Sequence, residues 1–442
     1  MRSGRRFHLV GAALVVALAV AMLVGTASAQ TYNPQIHKGT TIRVIQNKGT
    51  VGLAVEALLP EFEKLTGIKV QYETYPEDQY RQKVLMELAA GTGGLDAYYT
   101  FAAQEGLKFY RSGWYEPLDP FLKNPRLADP AYDLADMAKV AIQGNSYDGK
   151  LISIPVQQNT SMLYYRKDVF DRLKIKVPQN FEELEETAKK LHNVEEGGQK
   201  LVGITMRGKK AAATSIWAPF FFSMGGTWMT KDGKPNVASP EAIKAYELYG
   251  RLLRNYGPPG SVNYHWYECV SQFAQGKAAL YIDVNPRFFF FEDATKSQVA
   301  GKVGYAMFPS GPAGRKPTME VASMAISTKS KKKEAAFLFI QWMSSKEPVV
   351  KMLLRGIPAA RLSAWKDPRV QKEMKQKDWI ESSMKSMDIA DPQYSPPVVA
   401  VSEVRDVLGE AIVSSILGES VKPAADKAAA EMAKIMEKTE GK

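Results

Sequence analysis

The sequence predicts an α/β protein built as two lobes. Three observations carry this. Strand-like and helix-like segments alternate from Thr41 to Phe101. The same alternation restarts after Leu151. At 442 residues the chain also exceeds what a single core usually fills. Its composition is that of a folded protein, 45% hydrophobic, 24% charged and 10% aromatic, which excludes a disordered or fibrous chain.

The elements follow in order. Thr41–Ile45 alternates and is β-branched, so it reads as a strand. Leu58, Phe62 and Leu65 then fall on one helical face, and Gly67 ends that helix. Ile68, Val70 and Tyr72 alternate as a second strand. A helix over 78–90 stops at Gly91, and 95–101 has strand character. Strand, helix, strand, helix, strand at this spacing signals a largely parallel sheet with covered faces.

The turn Tyr147-Asp148-Gly149-Lys150 leads into Leu151–Pro155 and the second α/β region. There Asn180 and Glu183 are spaced as a capping pair for a helix burying Phe181, Leu184, Ala188 and Leu191. Ser239-Pro240 starts another helix, with proline at its first position. Strands are expected over 303–307 and 321–326, then a helix burying Ala335, Leu338, Phe339 and Trp342. Two helical stretches, 403–417 and 424–436, close the chain.

The N-terminus reads as an export signal. Arg2, Arg5 and Arg6 precede an apolar run from Leu9 to Val24, followed by Ala27-Ser28-Ala29. Cleavage after Ala29 removes three arginines and no acid, lowering the formal charge from +11 to +8. Cys269, the single cysteine, lies far from that site, so no lipid anchor is expected and the mature protein should be free in a periplasm. One cysteine also excludes a disulfide framework. The basic residues are spread along the chain. The run Lys329, Lys331, Lys332 and Lys333 reads as solvated loop, so nucleic acid is not an expected partner.

Catalytic signatures are missing. His37, His192 and His265 stand far apart without metal-ligand spacing, and no Gly-x-Ser-x-Gly elbow occurs. Gly144 to Leu151 has the spacing of a phosphate loop, but Leu151 replaces the required hydroxyl and a strand follows where a helix is needed. Cys269 in an aromatic segment reads as a buried small residue. No metal and no cofactor are expected. Amides and aromatics cluster instead near strand ends: Gln46-Asn47, Tyr98-Tyr99, Gln157-Gln158-Asn159, Trp217, Trp228, Tyr264-His265-Trp266 and Asp283 to Arg287. Rings that cover C–H faces beside amides that satisfy hydroxyls suit a neutral, hydroxylated ligand.

Several ordered segments carry a family resemblance. They are Phe62 to Val70, Ala90-Gly91 with Leu95-Asp96, Tyr147 to Pro155 with Asn159-Thr160, and Tyr164 to Phe170. Further on come Val177 to Leu184, Phe273 to Leu280, Gly304-Tyr305-Ala306 and Pro309 to Pro312. Together they resemble the extracellular solute-binding proteins of ABC-type sugar and polyol importers, the maltodextrin-binding-like group. Leu95 stands where that family usually has proline, and Arg166 where asparagine is common.

The resemblance implies a type II periplasmic-binding-protein-like fold. Each lobe would be a mostly parallel sheet flanked by helices, with three hinge crossovers near 151–155, 321–326 and 356–361. The N-terminal lobe would take 40–150 and 326–356, and the C-terminal lobe 155–320 and 362–442. It implies a monomer that does no catalysis, closes on a sugar or polyol and delivers it to membrane permease subunits.

Mapped by position, the cleft contacts would be Gln46, Asn47, Lys48, Phe101, Gln104, Gln158, Asn159, Asp283, Asn285, Arg287, Arg355 and Gly356. Trp217 is expected as a stacking platform or as core, and Arg287 would meet a sugar hydroxyl or an anionic group. A different solute, such as an organophosphate, sulfonate, peptide or polyamine, and a secreted glycan hydrolase are the competing expectations.

Overall fold

The computed structural model describes residues 31–440. The segment expected to be an export signal lies outside the described residues. In chain order the main elements of the first part are β1 (Thr41–Asn47), α1 (Thr50–Thr66), β2 (Lys69–Tyr75), α2 (Glu77–Ala90), β3 (Ala97–Phe101) and the long β4 (Ile154–Arg166). Next come α3 (Phe181–Leu191), β5 (Val202–Thr205), α4 (Lys210–Ser223), α5 (Pro240–Tyr256), α6 (Trp266–Ala274), β6 (Ala278–Val284) and β7 (Val303–Met307). The last are β8 (Met319–Ile326), α7 (Lys333–Met343), α8 (Lys346–Leu353), α9 (Lys377–Met387), α10 (Val401–Leu417) and α11 (Val421–Thr439).

Local chemistry explains the element ends. Gly67 and Gly91 terminate α1 and α2 in the left-handed conformation, at φ 69° and 60°, where a side chain would be strained. Asn180 accepts a hydrogen bond from the Glu183 N–H, so the expected cap forms, and Ser239 caps α5 by accepting one from the Ala242 N–H.

The strands run in the order β2-β1-β3-β8-β4-β6-β5, with β7 also pairing β4. Pairs β1–β2, β1–β3 and β5–β6 are parallel. β8 and β4 are antiparallel to their neighbours, so each lobe mixes both directions. The reason is topological: these two strands carry the chain between lobes. β4 pairs with β8 up to Thr160 and with β6 and β7 from Ser161 or Met162 onward. The sequence marks where that strand begins, near Leu151–Pro155, whereas its partners change several residues later. Likewise Ala322–Ile326 pairs with Phe101–Ala97 and forms part of the first lobe's sheet. At the third passage Arg361, fully buried, donates to the Tyr132, Asp133 and Ser344 carbonyls of the first lobe.

Packing holds each lobe. In the first, Phe62 of α1 meets Phe339 and Trp342 of α7, ring centroids 5.3 and 5.2 Å apart. In the second, Trp217 stacks between Tyr246 and Phe221 at 4.2 and 4.7 Å. Among the described residues no helix is long and apolar enough to cross a membrane.

Candidate functional site

The site grows out of strand ends. β1 ends at Asn47, which with Gly49 and Thr50 at the start of α1 forms one rim of a cleft between the lobes. β3 ends at Phe101, and the following turn brings Gln104 to the same space. β4 contributes Gln157 and Asn159, and β8 contributes Glu320 directly opposite Asn159. The second lobe answers with Arg207 after β5, Trp266 at the start of α6, Arg287 after β6, Tyr394, and Arg405 on α10. Ligand groups at the carboxyl ends of strands are what an open α/β sheet offers.

The lobes are closed on each other. Trp266 Nε1 donates to Glu77 Oε2 at 3.2 Å, and Glu77 N–H donates to the Tyr267 hydroxyl at 3.1 Å. Tyr394 donates to Gln104 Oε1 at 3.3 Å. The remaining space is small, about 50 Å³, room for about four water-sized groups.

Charges in the cleft are almost all paired. Asp283, fully buried, accepts two bonds from Arg207, at 2.7 and 2.6 Å, and one from Arg287 Nε at 3.0 Å. Burial pushes its carboxyl up, but the two guanidiniums together outweigh burial and hold it below the usual carboxylate range. Arg81 donates to Glu105, Glu77 and Gln104 at 2.7, 3.0 and 3.0 Å. Its guanidinium lies over Phe101, and that of Arg287 lies 4.3 Å from the Trp266 ring centroid.

Two charges stand apart. Arg405 donates only to neutral oxygens, Thr214 Oγ1, Ala211 O and Ser215 Oγ, and burial lowers its pKa. Glu320 is 8% exposed, and its carboxylate makes no hydrogen bond or ion pair among the described residues. Burial raises its pKa, partly offset by Arg207. The Oδ1 atoms of Asn47 and Asn159 are also buried without a partner.

Of the contacts mapped by position, Asn47, Phe101, Gln104, Asn159 and Arg287 meet in this cleft, joined by Tyr99, Gln157 and Trp266 from the amide and aromatic clusters. Asp283 lies beneath it, holding the arginines. Gln46 and Gln158 are fully buried outside it, and Asn285 accepts from Thr160 N–H and donates to Ser383, bracing the passage of β4 between lobes. Lys48 and Arg355 are exposed at the surface and not among the cleft residues. Gly356, at φ 82°, lies against the Phe288 ring, where a Cβ would come within 2.1 Å; it is a packing position.

Trp217 is a correction. It has no exposed surface and is sandwiched in the second lobe's core, so it offers no face to a ligand. Cys269 is buried, and burial raises its thiol pKa, as expected of a packed residue. Glu77, Arg81, Arg207, Glu320 and Arg405 were not singled out from sequence. Only Glu320 carries a signal, as a lone acid inside the apolar strand Met319–Ile326.

This geometry, two closing α/β lobes with a polar cleft and paired charges, is that of a solute receptor. The profile described as bacterial extracellular solute-binding protein matches residues 47–350, and the chain belongs to that family. The chain is 30% identical over 339 residues to an erythritol/L-threitol-binding protein of Mycolicibacterium smegmatis, covering 73% of this chain and 70% of that one. It superposes on a solute-binding protein from Agrobacterium radiobacter in complex with ribitol, with TM-score 0.81, 28% identity and coverage of 90% and 99%. A second, from Agrobacterium vitis with bound D-mannitol, gives 0.80 and 25% identity, again covering 90% and 99%.

Proposed function

We propose that the protein is the exported receptor of an ABC importer and that its cleft captures a short, acyclic polyol. The observation that carries this is Glu320, an unpartnered buried carboxylate facing the donors of Arg207 and Arg287 across the empty space. A hydroxyl accepts from a guanidinium and donates to a carboxylate, so a chain of hydroxyls satisfies both walls at once. Asn47 and Asn159, with unpartnered Oδ1 atoms, extend the same demand for donors.

Size and aromatic geometry support the chain over the ring. About 50 Å³ leaves no room for an oligosaccharide and favours the shortest polyols. A pyranose also needs an aromatic face, whereas Arg287 covers Trp266 and Arg81 covers Phe101.

In this reading the ligand bridges the lobes and shifts the population toward the closed form that the permease subunits recognise. Closure would flex β4 near Thr160–Ser161 and the neighbouring start of β8. The same reading includes cleavage after Ala29, a periplasmic location and a monomeric receptor that leaves its ligand unaltered.

Thermal denaturation of the mature chain with a panel of polyols, monosaccharides, amino acids and organic acids tests it. A C4–C6 polyol should stabilise by RT ln(1 + [L]/Kd), about 2.7 kcal/mol at a hundredfold excess over Kd. A panel in which no polyol raises the midpoint refutes the reading.

A further inference from the structure

Arg207, Arg287 and Arg405 all line the cleft and would suit an anionic solute, Arg405 most of all because no carboxylate touches it, and what stands against such a solute is Glu320. Charge bookkeeping in and under the cleft is balanced. Arg81 lies between Glu77 and Glu105, while Arg207 and Arg287 share Asp283. The first group therefore carries one negative charge in excess and the second one positive charge in excess. Arg405 adds a cation with no carboxylate in contact, and Glu320 adds an anion with no partner. With Glu320 ionised these eight groups sum to zero; without it they sum to +1.

We propose that Glu320 is the specificity-determining residue that restricts the cleft to uncharged polyols, by cancelling the surplus guanidinium charge that would otherwise draw in a polyol acid. This rests on the polyol reading of the same cleft. A terminal carboxylate in place of a hydroxymethyl group could accept from Arg207, Arg287 or Arg405. It would also sit against the buried Glu320 carboxylate, and like charges brought together out of water are strongly disfavoured. A neutral hydroxyl at that point donates to Glu320 instead.

The position is fixed well enough to act this way. Glu320 is held in β8 opposite Asn159 in β4, so the strand pairing fixes its backbone and the face from which its side chain leaves. The charged and titratable groups it faces are Arg207, Asp283 and Arg287 from the second lobe's sheet side and Glu77 from α2. Arg405 of α10 and the hydroxyls of Tyr99 and Tyr394 complete the set. Replacing Glu320 by glutamine keeps the size, removes the charge and exchanges one of the two acceptor oxygens for a donor.

The test is calorimetric titration of the mature wild-type chain and Glu320→Gln with matched pairs of one chain length: erythritol and erythronate, ribitol and ribonate, mannitol and mannonate. For wild type, a neutral member should bind and its acid should not. For Glu320→Gln, polyol affinity should fall about tenfold or more, since a hydrogen bond to a charged acceptor is lost, and the acid should now bind. If that variant does not fold, the wild type supplies the second arm. As pH falls from neutrality towards the ordinary glutamate range, Glu320 takes up a proton, and affinity for the acid should rise relative to the polyol. An acid-to-polyol affinity ratio unchanged by both substitution and pH overturns the role given to Glu320 while leaving the polyol receptor standing. A wild type that binds the acid as tightly as the polyol also overturns it. Binding of no member of any pair removes the polyol reading and this inference with it.

Discussion

Asp283 is where the structure concentrates the most electrostatic dependence on one side chain. It is fully buried, accepts both a bidentate bond from Arg207 and a bond from Arg287, and also accepts from its neighbour Val284 N–H at 2.8 Å. Asp283→Asn keeps the volume but leaves two guanidiniums, themselves only 5% and 7% exposed, without an anion in contact. Breaking a buried pair in this way costs about 3–5 kcal/mol. Arg207→Met removes one of two cations sharing one carboxylate and leaves the balanced Asp283–Arg287 pair, so its cost should be about 1–2 kcal/mol, chiefly lost hydrogen bonds. Urea denaturation followed by circular dichroism measures both. The predicted order, with Asp283→Asn the more damaging by about 2 kcal/mol, follows from charge count alone. Equal costs, or the reverse order, would show that packing and not charge pairing governs this wall.

Further outcomes follow from the same geometry. Trp217→Ala should lower stability by about 3–5 kcal/mol, as for a buried aromatic, while ligand affinity in the folded fraction stays unchanged; a selective loss of affinity would return Trp217 to the cleft. His265 caps α6 by accepting from Trp266 N–H, and burial lowers its pKa to about 4. The unfolded chain therefore binds a proton below about pH 6.5 that the folded chain refuses until about pH 4, so stability should rise with pH across that interval by about 3 kcal/mol. His265→Asn should flatten that slope in thermal unfolding, and an unaltered slope would assign it elsewhere. Cys269 should resist thiol reagents until the chain unfolds, because it is buried and its thiol is held protonated.

Much of the fold was legible because its elements obey simple periods. Strand alternation in Thr41–Ile45 and the apolar face of α1 are set by local sequence, as are the caps at Asn180 and Ser239. What alternation cannot reveal is where a long strand changes partners, since β4 reads continuously while its neighbours switch at Thr160–Ser161.

The cleft was legible where it is built from strand ends, as at Asn47, Phe101 and Arg287, and at Asn159 inside β4, which the resemblance of the surrounding segment marked. It was illegible where function occupies positions with an ordinary structural meaning. Glu77 and Arg81 look like first-turn and i,i+4 helix charges, and Arg405 looks like a solvated residue on an amphipathic helix. Only the approach of distant elements makes them a site. Trp217 misled in the opposite sense: α4 is buried on every side from Ala213 to Ser223, so no periodicity separates a core ring from a cleft ring.

Small-angle scattering from the mature chain, with and without a saturating C4–C6 polyol whose binding is established by calorimetry, tests the central claim most directly. The lobes meeting across Glu77, Trp266 and Tyr394 predict a smaller radius of gyration when the polyol is present. An identical radius in the bound and free protein would contradict capture by closure.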